Sequence, residues 1–278
     1  MTENKPGKLY VVATPIGNLG DFSPRAIETL ETVDFIAAED TRVGAKLLNK
    51  FEIKKPQVSY FEHNRKTKGD YILSRILAGE SCAIITDAGT PAISDPGVDL
   101  VDLCAQNGVE VVAVPGCSAV VAALSISGMA CGRFTFEGFL PVPKKERRAH
   151  LEEVKNERRT MVFYEAPHKL KGTLEDLLKA LGDRRIALVR EITKIHEEVI
   201  RTTLSEACAR YEREDPRGEF VIVVEGAAPA EKTAATPDEA AALAKAYMTE
   251  GMSPSEAAKI AAAECGLKKG DVYRLITR

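Results

Sequence analysis

The chain has 278 residues, of which 45% are hydrophobic and 28% charged, and its formal net charge is −3. These values are typical of a soluble globular protein of one to three domains, and the slightly negative charge argues against a protein that coats nucleic acid, although it allows a local basic surface. No apolar stretch approaches the about 20 residues of a membrane span, and the start of the chain, MTENKPGK, lacks the apolar segment of a signal peptide.

Apolar runs and helical patterns alternate through the first half of the chain. The predicted elements are a strand at 9–13, a helix that Ser23 caps and Pro24 opens, a strand at 35–38, a helix at 43–51, a helix that includes 71–77, and strands at 82–85 and 109–114. This alternation predicts an α/β fold with a mostly parallel sheet and helices on both of its faces.

Three of these strands end in irregular loops of glycine, proline and small or acidic residues. The loops read TPIGN at 14–18, TDAGTPAISDPG at 86–97 and PGCSA at 115–119. A packed core needs no such residues, and open α/β proteins bind their ligands beyond the carboxyl ends of the strands. The sequence therefore predicts one site assembled from several loops, as in an enzyme.

The character of the chain changes after the segment FLPVP at 139–143. Strands of a second α/β unit, with antiparallel pairs, are predicted at 161–164, 186–190, 199–203 and 220–224. The two prolines of the segment indicate a domain boundary. We therefore predict an amino-terminal α/β domain at 1–139 and a second α/β domain at 140–226.

The last part of the chain is helical. Residues 227–237 are rich in alanine and proline and have the composition of a linker. Helices are predicted at 238–249, 255–265 and 270–276, the second of them with the start signal SPSE at 253–256. The domain at 238–278 resembles a helix-turn-helix that contacts nucleic acid, and the alternative is a helical cap on the core.

Two surfaces carry clustered cations. The segment YFEHNRKTK at 60–68 mixes aromatic rings with basic groups, which suits the stacking of bases and the pairing of phosphates. Residues 144–159 hold seven Lys or Arg against four Glu. For this second segment a solvated helix face with Glu–Lys pairs is an equally good interpretation.

Several familiar chemistries lack their sequence signals. The chain has no GxGxxG after the first strand, no GxxxxGK[ST], no HExxH and no GxSxG. Its six cysteines are scattered without a CxxC pair, and only four histidines accompany them. We therefore expect a cytoplasmic protein of a reducing compartment without a metal. The loops favour a ligand that is held by backbone groups and carries little phosphate, and S-adenosylmethionine fits that description.

Seven segments, in this order, carry a resemblance to a known family. They are TPIGN (14–18), AEDTR (38–42), TDAGTPAISDPG (86–97), PGCSA (115–119), EGFLP (137–141), YEAPHK (164–169) and REITK (190–194). With them the chain resembles the tetrapyrrole (corrin/porphyrin) methylase superfamily. AEDTR and YEAPHK point to the branch that methylates a cytidine ribose 2′-oxygen in the decoding centre of bacterial 16S ribosomal RNA. Thr86 and Cys117, where relatives often carry Ser and Pro, are mild departures.

The resemblance implies a two-domain fold with S-adenosylmethionine in the cleft between the domains, which the second domain closes. Motif matching assigns ten residues to the cofactor: Pro15, Ala88, Gly89, Thr90, Ile93, Ser118, Ala119, Tyr164, Glu165 and Ile192. A missing Cβ at a glycine lets the backbone approach such a ligand. The resemblance also implies a homodimer, no membrane and an assembled small ribosomal subunit as the substrate.

Methyl transfer to a hydroxyl benefits from a general base. The candidates are Asp87, Glu165, Glu191 and, if its pKa is depressed, Lys194, and the sequence does not choose among them. Instead of acting as a base, Glu191 could form a salt bridge to Arg190 or Arg42. Asp95 is not among the candidates, because Pro96 and Gly97 beside it are typical of a turn. The candidate RNA-binding residues are Arg42, Tyr60, His63, Asn64, Arg65, Lys66 and Lys68.

Two other functions stay open at this point. The first is a small-molecule methylase acting on a tetrapyrrole, against which the basic aromatic segment and the extra helices argue. The second is an RNA-binding protein without catalysis, which would not need intact TDAGTP and PGCSA loops.

Overall fold

The computed structural model of the chain describes residues 5–229 and 236–277. Its contacts divide the chain into two compact units, with the division between Ala227 and Ala228. Much of the segment predicted to be a linker, 230–235, lies outside the described residues. No helix among the described residues has both the length and the apolar character needed to cross a bilayer.

The first sheet of the first unit is parallel throughout. Its strands are β1 (Lys8–Val12), β2 (Phe35–Ala38), β3 (Gln57–Ser59), β4 (Cys82–Ile85) and β5 (Glu110–Val114). The spatial order is β3-β2-β4-β1-β5, and every neighbouring pair is parallel. The predicted parallel sheet is confirmed, with β3 as an additional edge strand.

Helices cover both faces of this sheet. They are α1 (Pro24–Thr32), α2 (Thr41–Lys50), α3 (Arg65–Leu77) and α4 (Val98–Gln106), preceded by a short 3-10 turn at Leu19–Asp21. Side chains alternate along a strand, so Cys82 and Ile84 pack in the cluster with α3 and α4, and Ala83 and Ile85 in the cluster with α1 and α2. The predicted cap of α1 is confirmed, because the Ser23 hydroxyl accepts the N–H of Ala26 at 3.1 Å.

The second sheet mixes parallel and antiparallel pairs. Its strands are β6 (Phe134–Phe139), β7 (Thr160–Glu165), β8 (Arg185–Arg190), β9 (Glu198–Thr203) and β10 (Phe220–Val224), in the order β6-β7-β10-β8-β9. Only the pair of β6 and β7 is parallel, and the other three pairs are antiparallel. The predicted antiparallel pairs are confirmed.

The boundary predicted after residue 139 does not separate the two sheets. Strand β6 already belongs to the second sheet. The helix before it, α5 (Ala119–Ser127), also packs on that sheet, since its Val120 and Leu124 share a buried cluster with Val162 and Val189. The prolines at 141 and 143 mark the loop after β6, whereas the chain passes between the sheets directly after β5. The PGCSA turn therefore stands at the crossing.

The other face of the second sheet is covered by three helices. They are α6 (Lys144–Val154), α7 (Pro167–Leu181) and α8 (Leu204–Arg213). Leu151 of α6 and Leu174 of α7 are buried in the same cluster as Phe163. Most of the cationic segment at 144–159 is therefore a helix with one buried edge.

The second unit is a small helical domain. Its helices are α9 (Pro237–Thr249), α10 (Pro254–Cys265) and α11 (Lys269–Ile276), close to the predicted bounds. Ser253 caps α10 by accepting the N–H of Glu256, and Gly266 ends it in the left-handed conformation. Alanines of α9 and α10, with Val272 of α11, form its core. Helix, turn and helix follow one another as predicted.

Candidate active site

A cavity of about 310 Å³ is lined by residues of both sheets in the first unit. Strands β4, β1 and β5 are neighbours, so the three loops that leave their carboxyl ends meet at one edge. Nine of the ten predicted cofactor residues line the cavity: Ala88, Gly89, Thr90, Ile93, Ser118, Ala119, Tyr164, Glu165 and Ile192. Its size falls within the range of small-molecule sites, about 300–1,000 Å³.

Pro15 is the exception among the predicted cofactor residues. It is buried, and the next residue, Ile16, lines the cavity in its place. The loop of the TPIGN motif reaches the cavity, but which side chain faces the cavity depends on how the backbone turns after β1. Nothing in the sequence marked Ile16 over Pro15.

Hydrogen bonds tie the three loops to one another. Thr14 and Gly89 exchange backbone bonds, with N···O distances of 2.8 and 3.2 Å. The Thr90 hydroxyl donates to the carbonyl of Cys117 at 2.9 Å. Gly89 adopts φ +89°, a conformation that side chains with a Cβ rarely adopt. The loops therefore form one connected wall before any ligand arrives.

Strained backbone is concentrated in two loops at this cavity. Of the described non-glycine residues, five have positive φ, and four of them are Ala92 and Ser94 in the loop after β4 and Glu191 and Thr193 in the loop after β8. Such residues cost about 1–3 kcal/mol each and cluster at functional sites. Their position supports the assignment of this cavity as the site.

The cavity wall is apolar and acidic. Ile16, Ile93 and Ile192 supply aliphatic surface, and Tyr164 is flanked edge-on by Phe136 and Phe139 at ring distances of 5.0 and 5.5 Å. Lys194 is the only cationic side chain among the lining residues. The cavity suits a small ligand with apolar surface and positive charge better than one rich in phosphate.

Three carboxylates lie on the first-sheet side of the cavity. Glu39 accepts the Thr86 hydroxyl at 2.7 Å, and Asp87 accepts the backbone N–H of Asp40 at 3.2 Å. Burial, and then the neighbouring charge of Glu39, raise the pKa of Asp87. The same two causes raise the pKa of Asp95 to about 6. No described group of His, Cys, Asp and Glu side chains has the arrangement of a metal site.

Asp95 was not among the candidate bases, because the Pro-Gly that follows it is typical of a turn. Its position within the TDAGTPAISDPG motif was the available signal. Glu219 also lines the cavity, and no sequence pattern marked this residue, which directly precedes β10.

Both oxygens of the Glu165 carboxylate accept hydrogen bonds from residues at or near the start of α7. The carboxylate is buried, accepts the Thr173 hydroxyl at 2.5 Å and accepts the N–H of Ala166 at 2.9 Å. Arg147 donates to the same Thr173 hydroxyl at 2.7 Å. This arrangement anchors the start of α7 beside the cavity.

Glu191 and Lys194 form an ion pair at 2.9 Å, and Lys194 also pairs with Glu219 at 2.9 Å. The N–H of Glu219, followed by Lys194, lowers the pKa of Glu191. Burial lowers the pKa of Lys194, but its hydrogen bonds to Glu219 and Glu191 outweigh burial and the pKa is raised. The depressed pKa that a Lys194 base requires is therefore absent.

The alternative partners suggested for Glu191 were wrong. Arg190 pairs with Glu198 at 3.1 Å, and Arg42 pairs with Asp40 at 2.6 Å. Lys194 is the partner of Glu191 instead. The backbone N–H of Lys194 donates to the carbonyl of Glu191, and this turn at 191–194 brings the ammonium group back to the Glu191 carboxylate. Glu191 remains part of a salt bridge at the cavity.

The candidate RNA-binding residues divide into two groups. Arg42, His63, Arg65 and Lys66 are exposed, Lys68 is half-buried, and residues 65–68 form the first turn of α3 rather than a loop. The prediction for Tyr60 was wrong, because its side chain is 1% exposed and packs in the core with Ile72 and Leu100.

Two further candidates in this segment are already engaged. The Asn64 amide is used within the turn, where it accepts the N–H of Phe61 and donates to the carbonyl of Ser59. Arg65 pairs with Asp99 at 2.9 Å and with Glu62 at 3.2 Å. Arg42 is exposed but paired with Asp40, so Lys66 is the one exposed Lys or Arg of the set that makes no ion pair among the described residues.

Comparisons with known proteins match nearly the whole chain. The family model of tetrapyrrole (corrin/porphyrin) methylases matches residues 8–208, and a model described as the RsmI C-terminal HTH domain matches residues 234–277. A Synechocystis protein named ribosomal RNA small subunit methyltransferase I is 45% identical over 97% of each chain. A Thermotoga maritima protein of the same name is 48% identical over 79% of this chain and 99% of its own length.

A solved structure shares the fold. The uroporphyrin-III C-methyl transferase of Thermus thermophilus, complexed with S-adenyl homocysteine, superposes with a TM-score of 0.56. The match covers 78% of this chain and 97% of that one, at 17% sequence identity. This likeness concerns the fold alone.

Proposed function

The chain belongs to the family of tetrapyrrole (corrin/porphyrin) methylases, and from this premise we propose that it is an S-adenosylmethionine-dependent methyltransferase that modifies a cytidine ribose 2′-hydroxyl in 16S ribosomal RNA. Relatives at 45–48% identity that are named ribosomal RNA small subunit methyltransferase I support the substrate class. The observation that carries the proposal is the loop-built cavity with an apolar and acidic wall.

The described residues fit the cofactor. The backbone of 88–90 and the start of α5 offer polar groups to the amino-acid and ribose parts, and Ile93, Ile192 and Tyr164 offer apolar surface to the adenine. The carboxylates of Glu39, Asp87 and Asp95 give the cavity a negative field that favours a sulfonium cation. The Thermus thermophilus protein of the same fold is complexed with S-adenyl homocysteine, which agrees with this assignment.

Positioning provides most of the catalysis in this proposal. When bound, S-adenosylmethionine supplies a methyl group that is already activated. The protein then has to hold the acceptor hydroxyl in line with that group and keep water out, and well-oriented reactants reach effective molarities of about 10⁵ M or more. The interlocked loops at Thr14, Gly89 and Thr90 give the rigidity that this requires.

The direct test is methyl transfer from labelled S-adenosylmethionine to unmethylated small ribosomal subunits, with naked RNA and a porphyrinogen as parallel acceptors. Label in one cytidine ribose of the subunit RNA is expected. Label only in the porphyrinogen would favour the small-molecule alternative. Cofactor binding without any transfer would contradict the proposed activity.

Exposed cations near α3 are proposed to contact RNA phosphates. In the variant Arg65→Ala with Lys66→Ala, we expect KM for small subunits to rise about 10-fold and the salt dependence of binding to weaken, because each phosphate contact releases counterions. Lys66 carries most of this effect, since Arg65 shares its charge with Asp99. The dissociation constant for the cofactor stays unchanged.

A second cation pair provides the control. Lys54 and Lys55 precede β3 and so lie at the amino ends of the strands, away from the loops of the site. The variant Lys54→Ala with Lys55→Ala should keep the wild-type KM. Equal KM values for both double variants and the wild type would show that the α3 cations are solvated surface only.

The helical unit is proposed to assist binding of the ribosomal particle. Deletion of 228–278 should leave a folded core with unchanged cofactor affinity and a KM for subunits raised about 10-fold, as expected for the loss of one binding surface. The division of the contacts into two units between Ala227 and Ala228 supports the independence of the core. Calorimetry and subunit methylation measure the two effects, and full activity after deletion would contradict this role.

The proposal includes a homodimer and a cytoplasmic location. Val121 and Val142 are 61% and 72% exposed, and a second copy of the chain would cover apolar side chains of this kind. Sedimentation of the purified protein at micromolar concentration tests the dimer. The location follows from a substrate that is a bacterial ribosomal particle.

A further inference from the structure

Methyl transfer to a hydroxyl requires a destination for the hydroxyl proton. A ribose hydroxyl is a weak acid, so its oxygen attacks more readily when a positioned base takes the proton in the same step. This question rests on the proposed function, since it assumes a hydroxyl acceptor. Motif matching left the base unassigned.

Three of the four candidate groups from the sequence are already engaged by strong partners. Glu165 accepts two hydrogen bonds, and Glu191 is held by Lys194 and by the N–H of Glu219. Lys194 is a protonated member of an ion pair with a raised pKa. A group that is stabilised in its present protonation state is a poor proton acceptor.

The carboxylates on the first-sheet side of the cavity differ in their partners. Glu39 accepts the Thr86 hydroxyl, and Asp87 accepts the N–H of Asp40. Asp95 makes no ion pair among the described residues, and its hydrogen-bond donor is the Thr86 hydroxyl, which also donates to Glu39 at 2.7 Å. Glu39 and Asp87 each accept a backbone N–H as well. Of the three, Asp95 is therefore the carboxylate whose donor is only a shared hydroxyl.

The surroundings of Asp95 tune it for proton transfer. Glu39 from the end of β2, Asp87 from the loop after β4 and Tyr164 from β7 are the titratable groups that face it. Burial and the two negative neighbours raise the pKa of Asp95 to about 6, closer to neutral pH than that of an ordinary aspartate. A base is most effective when its pKa lies close to the operating pH.

We propose that Asp95, which lines the cavity, is the general base of the methyl transfer. As the hydroxyl oxygen bonds to the methyl carbon, the bond from that carbon to sulfur breaks and its electron pair stays on sulfur. The hydroxyl proton passes to the Asp95 carboxylate and later to solvent. Glu39 and Asp87 keep the site negative and do not accept the proton.

The test compares Asp95→Asn with Asp102→Asn, an identical chemical change on the exposed side of α4 outside the cavity. Asp95→Asn should lower kcat for small subunits about 10²- to 10⁴-fold, the usual effect of a general base. Its KM for small subunits should stay within a factor of about two of the wild type. Its dissociation constant for S-adenosylmethionine should rise by no more than about 10-fold, much less than kcat falls, because Glu39 and Asp87 keep the cavity negative. Asp102→Asn should match the wild type throughout.

The pH profile separates a base from a structural residue. Because only the ionised carboxylate accepts a proton, wild-type kcat/KM, which reports the pKa of the free enzyme, should rise through pH of about 6 and level above it. Asp95→Asn should lose this rise. Unaltered kcat in Asp95→Asn, or an unaltered rise, would overturn the assignment of the base.

A thermal measurement adds a readout that needs no substrate. The raised pKa means that the folded protein favours protonated Asp95, so the contribution of Asp95 to stability is complete at low pH and is lost as pH rises through about 6. Asp95→Asn should therefore melt above the wild type at pH 8 and together with it at pH 4. Equal melting at pH 8 would count against the inference. A wild type that methylates no acceptor would overturn the proposed function instead.

Discussion

Substitution of Gly89 by valine is expected to lower the affinity for S-adenosylmethionine by at least about 100-fold, which corresponds to about 2.7 kcal/mol. Gly89 has φ +89°, and a β-branched residue in this region is strained by about 1–3 kcal/mol. Its Cβ would lie 3.4 Å from Ile16 Cγ2, so the methyl groups would take up space in the cavity. Titration calorimetry with the cofactor measures the effect.

A matched glycine controls for backbone strain. Gly108, in the turn after α4, has φ +70°, and a Cβ there would meet no heavy atom of the described chain within 4 Å. Gly108→Val should lower the melting temperature by a similar amount while leaving the cofactor affinity unchanged. Wild-type affinity in Gly89→Val would place the cofactor elsewhere.

The second large effect is expected from Gly218→Ala, which should lower the cofactor affinity more than about 10-fold. A Cβ at Gly218 would lie 2.3 Å from Glu191 Cγ, a distance that forces the Glu191 side chain to move. That side chain holds the N–H of Glu219 and the ammonium of Lys194, both at 2.9 Å. The loop that brings Ile192 to the cavity would lose these anchors.

Gly182→Ala is the control for this variant. Gly182 has φ +79°, against +78° at Gly218, and a Cβ there would meet no heavy atom of the described chain within 4 Å. Both variants therefore place a Cβ at a positive φ of nearly the same value, and only Gly218→Ala has the clash. If the two bind the cofactor equally well, the ion pair of Glu191 and Lys194 has no part in shaping the site.

Motif spacing predicted which loops form the site but not which side chains serve it. TPIGN, TDAGTPAISDPG and PGCSA all reach the cavity, because the carboxyl ends of adjacent parallel strands lie at one edge. Within these loops Ile16 replaced Pro15, and Asp95 emerged beside Asp87. The direction of a side chain in an irregular loop depends on dihedral angles that composition does not determine.

Partners distant in sequence decided the chemistry of the charged residues. Lys194 was considered as a base, but Glu219, 25 residues further on, keeps it protonated. Tyr60 was considered for RNA, but α3 and α4 bury it in the core. A pKa or an exposed fraction depends on the whole environment of a group, and a segment of nine residues carries only part of that environment.

The sequence by itself predicted eight of the ten strands and six of the eleven helices among the described residues, the parallel and antiparallel pairing, the loops proposed to carry the site, and the family. These follow from local apolar periodicity, from caps such as Ser23 and from motifs that occur in a fixed order. The tertiary structure decided that α5 and β6 belong with the second sheet, and which carboxylate beside the cavity has only a shared hydroxyl as its donor. Those outcomes depend on contacts between segments far apart in the chain, which no local pattern records.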